Sequence, residues 1–447
     1  MEVKKKYVPL QSQTIKRSVR ITVSTQDSQS CNRGSIPLPT TKAWQNAGLF
    51  SYICVRMFRK IIIASDSFKG SLSSHQVAVA AEEGIRTVLP DCEVISIDIA
   101  DGGEGTARAI AETSPHTAQC INASVHDPLG RPIIAIYQMM PDGTAVMEMA
   151  EASGLTLLSP EERNPMQTST FGTGEMILDA LNRGCRNFII GIGGSSTNDG
   201  GTGTLEALGF RFLDTAGNEI KGLCGSTLGQ IDDIDISGVP ESVLESSFTI
   251  ACDVETPFCG KEGATYIFAP QKGADSKAME TLEAGMQSLN EVIIKKTGID
   301  LSKTKGAGAA GGLGGAFKAF LNARLTKGID LILDMAGFDE TIKDADLIIT
   351  GEGRIDHQTC KGKTISGIVS RAKKAGIPVI AIAGIVDLDE NEMAESGLAG
   401  ALPIGPRPEN ESDLKYAMRP EVASDRISST VAKALESLSP SLFRGNP

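Results

Sequence analysis

Phe58-Arg59-Lys60-Ile61-Ile62-Ile63-Ala64-Ser65-Asp66-Ser67-Phe68-Lys69-Gly70-Ser71 opens the regular part of the chain. Its short apolar run reads as a first strand, and the residues after it as the turn into a helix. Ser73 or Ser74 is placed to cap an amphipathic helix over 75–89. Val94–Ala100 reads as a second strand, and Gly105–Glu112 as the start of another helix. This is β-α-β-α without hairpin signals, the pattern of a parallel sheet. The same grammar returns late in the chain, with strand Asp346–Thr350, helix Ile365–Ala375, strand Val379–Ala383 and one more strand over 399–404. If the two ends build one doubly wound sheet, strands 61–64 and 346–350 are neighbours. The loops after them then share the crevice at the carboxyl edge, where such folds bind ligands.

The middle is less regular, with strands flanking Tyr137 and others at Thr144–Met149, Phe188–Gly191 and Phe248–Cys252. It reads as a second α/β domain inserted into the first. The expected division is 57–120 with 325–447 for the outer domain and 121–324 for the insert. A length of 447 residues also suggests two domains. Residues 1–56 stand apart, rich in Lys, Arg, Ser, Thr and Gln, with Glu2 and Asp27 their acids and no apolar h-region. A transit peptide has such a composition, and so does a translated stretch upstream of a start at Met57. The second is the reading adopted, with 1–56 expected to be disordered and without function.

Composition narrows the function classes. Hydrophobic residues at 41% and charged residues at 22% are ordinary for a globular chain. A net charge of −12 argues against nucleic acid or anionic membrane as a partner. Phosphates, if bound, must meet local Lys or Arg, backbone N–H groups and metal. Aromatic residues are 4%, so stacking platforms do not dominate. Nine Cys without a C-x-x-C pair read as reduced thiols of a cytoplasmic protein. Four His without ligand spacing make a zinc site improbable, and no apolar stretch is long enough to span a membrane.

Gly, at 48 residues, gathers partly in loops next to chemistry-bearing side chains. Asp66-Ser67-Phe68-Lys69-Gly70-Ser71 is a βα turn suited to gripping a carboxylate or phosphate, or an ordinary capped turn. Asp101-Gly102-Gly103-Glu104-Gly105-Thr106 suits a metal or a held hydroxyl, or an acidic first turn that complements a helix dipole. Gly193-Gly194-Ser195-Ser196-Thr197-Asn198-Asp199-Gly200-Gly201 combines exposed backbone N–H groups with oxygens of the kind Mg²⁺ prefers. The run from Gly306 to Gly315 is a phosphate-cradle candidate, or tight helix packing through small residues. Thr350-Gly351-Glu352-Gly353-Arg354-Ile355-Asp356 precedes Lys361-Gly362-Lys363-Thr364, whose match to a P-loop fails at His357. Its Arg and Lys residues suit an anionic substrate and a nucleotide. Weaker pieces are Arg163-Asn164-Pro165 with Thr173-Gly174-Glu175, Asp253 after an apolar strand, and Lys272-Gly273-Ala274-Asp275. Together these loops point to phosphoryl transfer, which needs positioning, a metal and cations rather than covalent chemistry.

The chain resembles the bacterial glycerate kinase family of the glyoxylate and glucarate pathways over about residues 57–440. The motifs above carry the resemblance, with Asp253-Val254 and Pro257, Gly263-Ala264-Thr265, and Gln271-Lys272-Gly273. It implies a flavodoxin-like domain with an inserted α/β domain, and ATP and D-glycerate as substrates with Mg²⁺. The expected products are ADP and phosphoglycerate, most often 2-phospho-D-glycerate in similar members. One departure is Ser65, where the family usually has Pro, and it is expected to loosen the turn.

The roles expected on this basis make Asp199 the base, with Asp66 second and Lys69 beside it. Arg354 takes the substrate carboxylate, with Ser67 and Asn198 on the substrate. Gly193, Gly194, Ser195, Gly306, Gly308 and Lys363 hold the nucleotide, and Asp101, Glu104 and Asp253 the metal. The 66–71 and 351–356 loops should meet at one switch point and face the 193–201 loop across a cleft. No partner beyond these small molecules is expected, with a homodimer as the assembly to test. Alternatives are a kinase of another small hydroxy acid, a non-catalytic nucleotide-binding regulator and a metal-dependent phosphatase.

Overall fold

The computed structural model describes residues 58–99, 118–356, 359 and 364–438. The expectations for residues 1–56, the helix from Gly105, and Asp101, Glu104, His357 and Lys363 lie outside these residues.

One sheet takes its strands from both ends of the chain. They are β1 (Lys60–Ser65), β2 (Glu93–Asp98), and, numbered ahead for chain order, β12 (Leu347–Ile355), β13 (Val379–Val386) and β14 (Gly400–Pro403). Their spatial order is β14-β13-β12-β1-β2, with every pairing parallel. Numbered within this sheet alone the order is 2-1-3-4-5, the flavodoxin arrangement, and the winding reverses between β1 and β12. The adjacency expected of strands 61–64 and 346–350 is present, with Ile61 opposite Leu347 and Ile63 opposite Ile349.

Burial on both faces explains the unbroken apolar run of β1. Ile61 and Ile63 pack with Val77, Ala81 and Ile85 of helix Ser74–Val88 and with Ile427 and Val431 of helix Pro420–Ser437. Ile62 and Ala64 face the other way, toward Ile329, Ile332 and Leu333 of helix Gly328–Met335 and Ile365 and Ile368 of helix Thr364–Ala375. All three isoleucines are fully buried, each worth about 1.5–3 kcal/mol. Ser73 caps helix Ser74–Val88, its Oγ accepting from Gln76 N at 3.2 Å while Ser73 N donates to Gln76 Oε1 at 2.9 Å.

The middle of the chain builds a mixed sheet of β3 (Gln119–His126), β4 (Pro132–Met139), β5 (Thr144–Glu148), β6 (Asn187–Gly191), β10 (Ser247–Ala251) and β11 (Arg324–Thr326). Its order is β11-β10-β6-β5-β4-β3, parallel from β11 to β5 and antiparallel through β4 and β3. A small antiparallel sheet of β7 (Arg211–Leu213), β8 (Glu219–Ile220) and β9 (Asp233–Asp235) is attached in the same region.

Two strands run further than their apolar patterns foretell. The sequence ends one strand at Thr350 and makes 351–356 a loop, yet β12 continues to Ile355. It pairs there with an equally extended β13, Glu352 opposite Ala383 and Arg354 opposite Ile385. Glycines make this close approach feasible: a Cβ on Gly351 would stand 2.6 Å from Ile382 O, and one on Gly384 2.8 Å from Gly353 O. No helix among the described residues is long and apolar enough to cross a membrane.

Candidate active site

The turn after β1 is stitched to β12 at the point where the winding reverses. Asp66 N donates to Gly351 O at 3.0 Å, and Ser65 Oγ reaches both Gly351 O and Asp66 O at 3.0 Å. Ser65 is buried, and its hydroxyl ties the two segments together rather than loosening the turn. Asp66 is 4% exposed, and its Oδ1 accepts from Ser67 N at 2.6 Å.

Beside this junction lies a cavity of about 400 Å³, within the ~300–1,000 Å³ range of small-molecule sites. Asp66, Ser67 and Lys69 line it from one side, and Glu352, Arg354 and Asp356 from the other. Glu352 and Arg354 are two apart on one strand and so share a face. The rest of the wall is largely apolar and includes Ile404, Pro406, Leu414 and Met418. The 66–71 and 351–356 segments therefore meet as expected, and Asp66, Ser67, Lys69 and Arg354 share one site. No residue of the 193–201 loop is among those lining this cavity.

Arg354 does not stand alone. Its Nη2 is 2.6 Å from Asp387 Oδ2, while Arg407 Nη1 donates to Asp387 Oδ1 at 2.7 Å. Asp387 thus sits between two guanidinium groups, and its own N–H donates to Ile355 O at 2.8 Å. Sequence reasoning missed Asp387, although Ile385-Val386-Asp387 repeats the strand-then-Asp pattern that singled out Asp66 and Asp253. It also missed Arg426, a cavity-lining residue in the middle of a helix, where no local pattern marks it.

The 193–201 loop has a different character. Asp199, the expected base, is fully buried. Its Oδ2 accepts from Thr170 N and Thr170 Oγ1, both at 2.8 Å, and from Gly203 N at 3.3 Å, and its Oδ1 accepts from Gly201 N at 3.1 Å. Burial pushes its carboxyl upward, but four donors aimed at it favour the ionised form. Asn198, expected on the substrate, is also fully buried, and Ser195 nearly so. Lys272 Nζ is enclosed beneath the loop, donating to Ser195 Oγ at 2.8 Å and Thr197 O at 2.6 Å. Burial lowers the Lys272 ammonium to about 7, and Asp199 opposes that fall. Gly193 is half-buried and Gly194 exposed.

The 306–315 run is packed closely against its neighbours. Gly306 and Gly308, expected on the nucleotide, are buried with every residue between them and Gly315. A Cβ on Gly308 would stand 2.1 Å from Pro257 O, and one on Gly311 2.1 Å from Thr197 O. Gly200 N donates to Gly311 O at 2.9 Å, so the two glycine-rich segments close on each other. Asp253, expected on the metal, is exposed, and its Oδ1 accepts from Gly328 N at 2.9 Å at the start of helix Gly328–Met335. Among the described residues no three His, Cys, Asp or Glu side chains converge to hold a metal.

A profile of the glycerate kinase family matches residues 61–436. The chain belongs to the glycerate kinase family. It is 45% identical to "Glycerate kinase" of Bacillus subtilis (strain 168) over 348 residues, 78% of this chain and 90% of that one. It is also 45% identical to "Glycerate 2-kinase" of Escherichia coli (strain K12) over 340 residues, 76% of this chain and 88% of the relative. A crystal structure of a provisionally assigned glycerate kinase 2 from Salmonella typhimurium LT2 superposes with a TM-score of 0.72 at 39% identity. That match covers 85% of this chain and 97% of the solved one. The chain is accordingly an enzyme, a kinase of this family.

Proposed function

We propose that this chain transfers the terminal phosphoryl group of ATP to D-glycerate, giving 2-phospho-D-glycerate and ADP. The supporting observation is the switch-point cavity, which joins a buried aspartate to Lys69 and Arg354 in a space of small-molecule size. The product follows the Escherichia coli relative named a 2-kinase.

Asp66 is the carboxylate proposed to accept the proton of the attacking hydroxyl. It lines the cavity, whereas the Asp199 carboxylate is enclosed by four donors. A base must reach the proton it takes. Lys69 and Arg354 then face the negative groups of the two substrates. Asp199, Asn198 and Lys272 serve as the frame of the 193–201 loop, leaving the Gly193 and Gly194 backbone as its accessible part. Mg²⁺, when bound, would offset phosphate charge and needs only one or two protein carboxylates rather than a protein cage. Glu352 and Asp356 are the cavity's carboxylates able to supply them, with Asp66 kept as the base. We also read the two large sheets as two domains, with the middle one inserted into the outer one.

The test is purified protein with ATP, Mg²⁺ and D-glycerate, with the product position read by NMR. A phosphate on the 3-hydroxyl would overturn the product assignment. Absence of ATP consumption with D-glycerate, but turnover with another hydroxy acid, would move the substrate while keeping the chemistry. Phosphate release without ATP would replace the kinase reading with a phosphatase.

A further inference from the structure

We infer that Arg426 binds the carboxylate of the acceptor and makes the enzyme selective for acids over neutral analogues such as the amide; this rests on the acceptor site proposed above. Arg426 lies on helix Pro420–Ser437, one turn after the buried Ala423, and its half-buried side chain lines the switch-point cavity. The other guanidinium groups nearby are already matched, since Arg354 and Arg407 both meet Asp387. Among the described residues no carboxylate, carbonyl or hydroxyl partners Arg426. Half-burying a permanent cation without an ion-pair partner is unfavourable, so a protein that keeps one inside a ligand cavity gains when an anion arrives. The planar guanidinium fork fits a carboxylate with two parallel hydrogen bonds, which a hydroxymethyl or amide group does not reproduce.

Its seat is also specific. The guanidinium lies against the backbone of Gly405, between the cavity-lining Ile404 and Pro406. A Cβ on Gly405 would stand 2.8 Å from Arg426 Nη1 and 3.0 Å from its Cζ. A methyl group there would push the guanidinium aside while leaving its charge in place. Arg426 and Gly405 are thus one device, a cation and the flat surface that aims it.

The test is steady-state kinetics of full-length Arg426→Gln and Gly405→Ala with ATP, D-glycerate and its neutral amide, beside calorimetric binding of D-glycerate. Arg426→Gln should raise the KM for D-glycerate at least about tenfold and leave the KM for ATP unchanged. Its preference for the acid over the amide should largely vanish, a change that a general loss of structure would not produce. Gly405→Ala should show a smaller shift in the same direction. Both variants should melt with the wild type, because Arg426 makes no ion pair among the described residues. A D-glycerate KM within about twofold of wild type, or a rise confined to ATP, would overturn the assignment. Wild-type protein that neither binds nor phosphorylates any hydroxy acid would remove the acceptor site itself, and this inference with it. Wild-type turnover with an unaltered Arg426→Gln would remove the inference alone.

Discussion

Asp66 and Asp199 both stand in glycine-rich loops after apolar strands, and what surrounds their carboxylates separates them. Asp66 opens onto the cavity, whereas Asp199 is wrapped by Thr170, Gly201 and Gly203. Asp66→Asn should lower kcat at least about a hundredfold, the scale of a lost general base, and rapid-quench phosphoryl transfer would measure it. Asp199→Asn should act on stability, because an amide NH₂ would turn one end of the side chain toward donors. The expected cost is about 1–3 kcal/mol in urea unfolding, with kcat of the folded fraction within about tenfold. A larger kcat loss at unchanged stability would return the base to Asp199. Ser65→Ala removes the hydroxyl that reaches Gly351 O, and should cost about 1 kcal/mol. Nothing in the local string distinguished the two aspartates, because each was read from its own loop and not from its neighbours.

At the level of elements, glycine density was legible and its purpose was not. The run from Gly306 to Gly315 reads from sequence as a phosphate cradle, with close packing as the alternative. Contacts with Pro257, Thr197 and Phe258 make it packing in this structure. Gly311 has a φ of 65°, and an added Cβ would meet Thr197 O at 2.1 Å. Gly311→Ala should therefore destabilise by more than about 2 kcal/mol through strain and overpacking. Denaturant unfolding would show this, with the KM for ATP unchanged in the protein that remains folded. A rise in that KM at unchanged stability would instead restore the cradle. The apolar pattern falls short of the full length of β12 and β13 for a related reason. Gly351-Glu352-Gly353 has poor strand propensity, and its extension is decided by the neighbouring strand.

For the whole molecule, the parallel sheet brings Asp66 and Arg354, nearly 300 positions apart in the chain, to one edge. In the middle region, burial of Lys272 beneath the 193–201 loop gives stability a pH dependence. The folded ammonium titrates at about 7, and an unfolded lysine near 10.4. Between these values the unfolded chain binds more protons, so this group makes stability rise with pH across that window, by at most about 1.4 kcal/mol per pH unit. Below about 7 both states are protonated and the slope vanishes. Urea unfolding from pH 7 to 10 should show the rise in wild type and a flatter profile in Lys272→Met. Equal slopes would mean that Lys272 keeps an ordinary affinity for its proton in the fold.

The sequence by itself determined the fold class, the adjacency of strands 61–64 and 346–350, the meeting of the two loops after them, and the family. Those features live in apolar runs and in turn residues adjacent along the chain, so local patterning and motif order carry them. Only the tertiary structure decided which aspartate faces the cavity, which glycines are packed shut, that Asp387 matches Arg354, and that Arg426 has no ion-pair partner among the described residues. These depend on what residues from different elements place beside a group. Burial and unmet hydrogen-bonding capacity come into being only when the sheets and helices close around it.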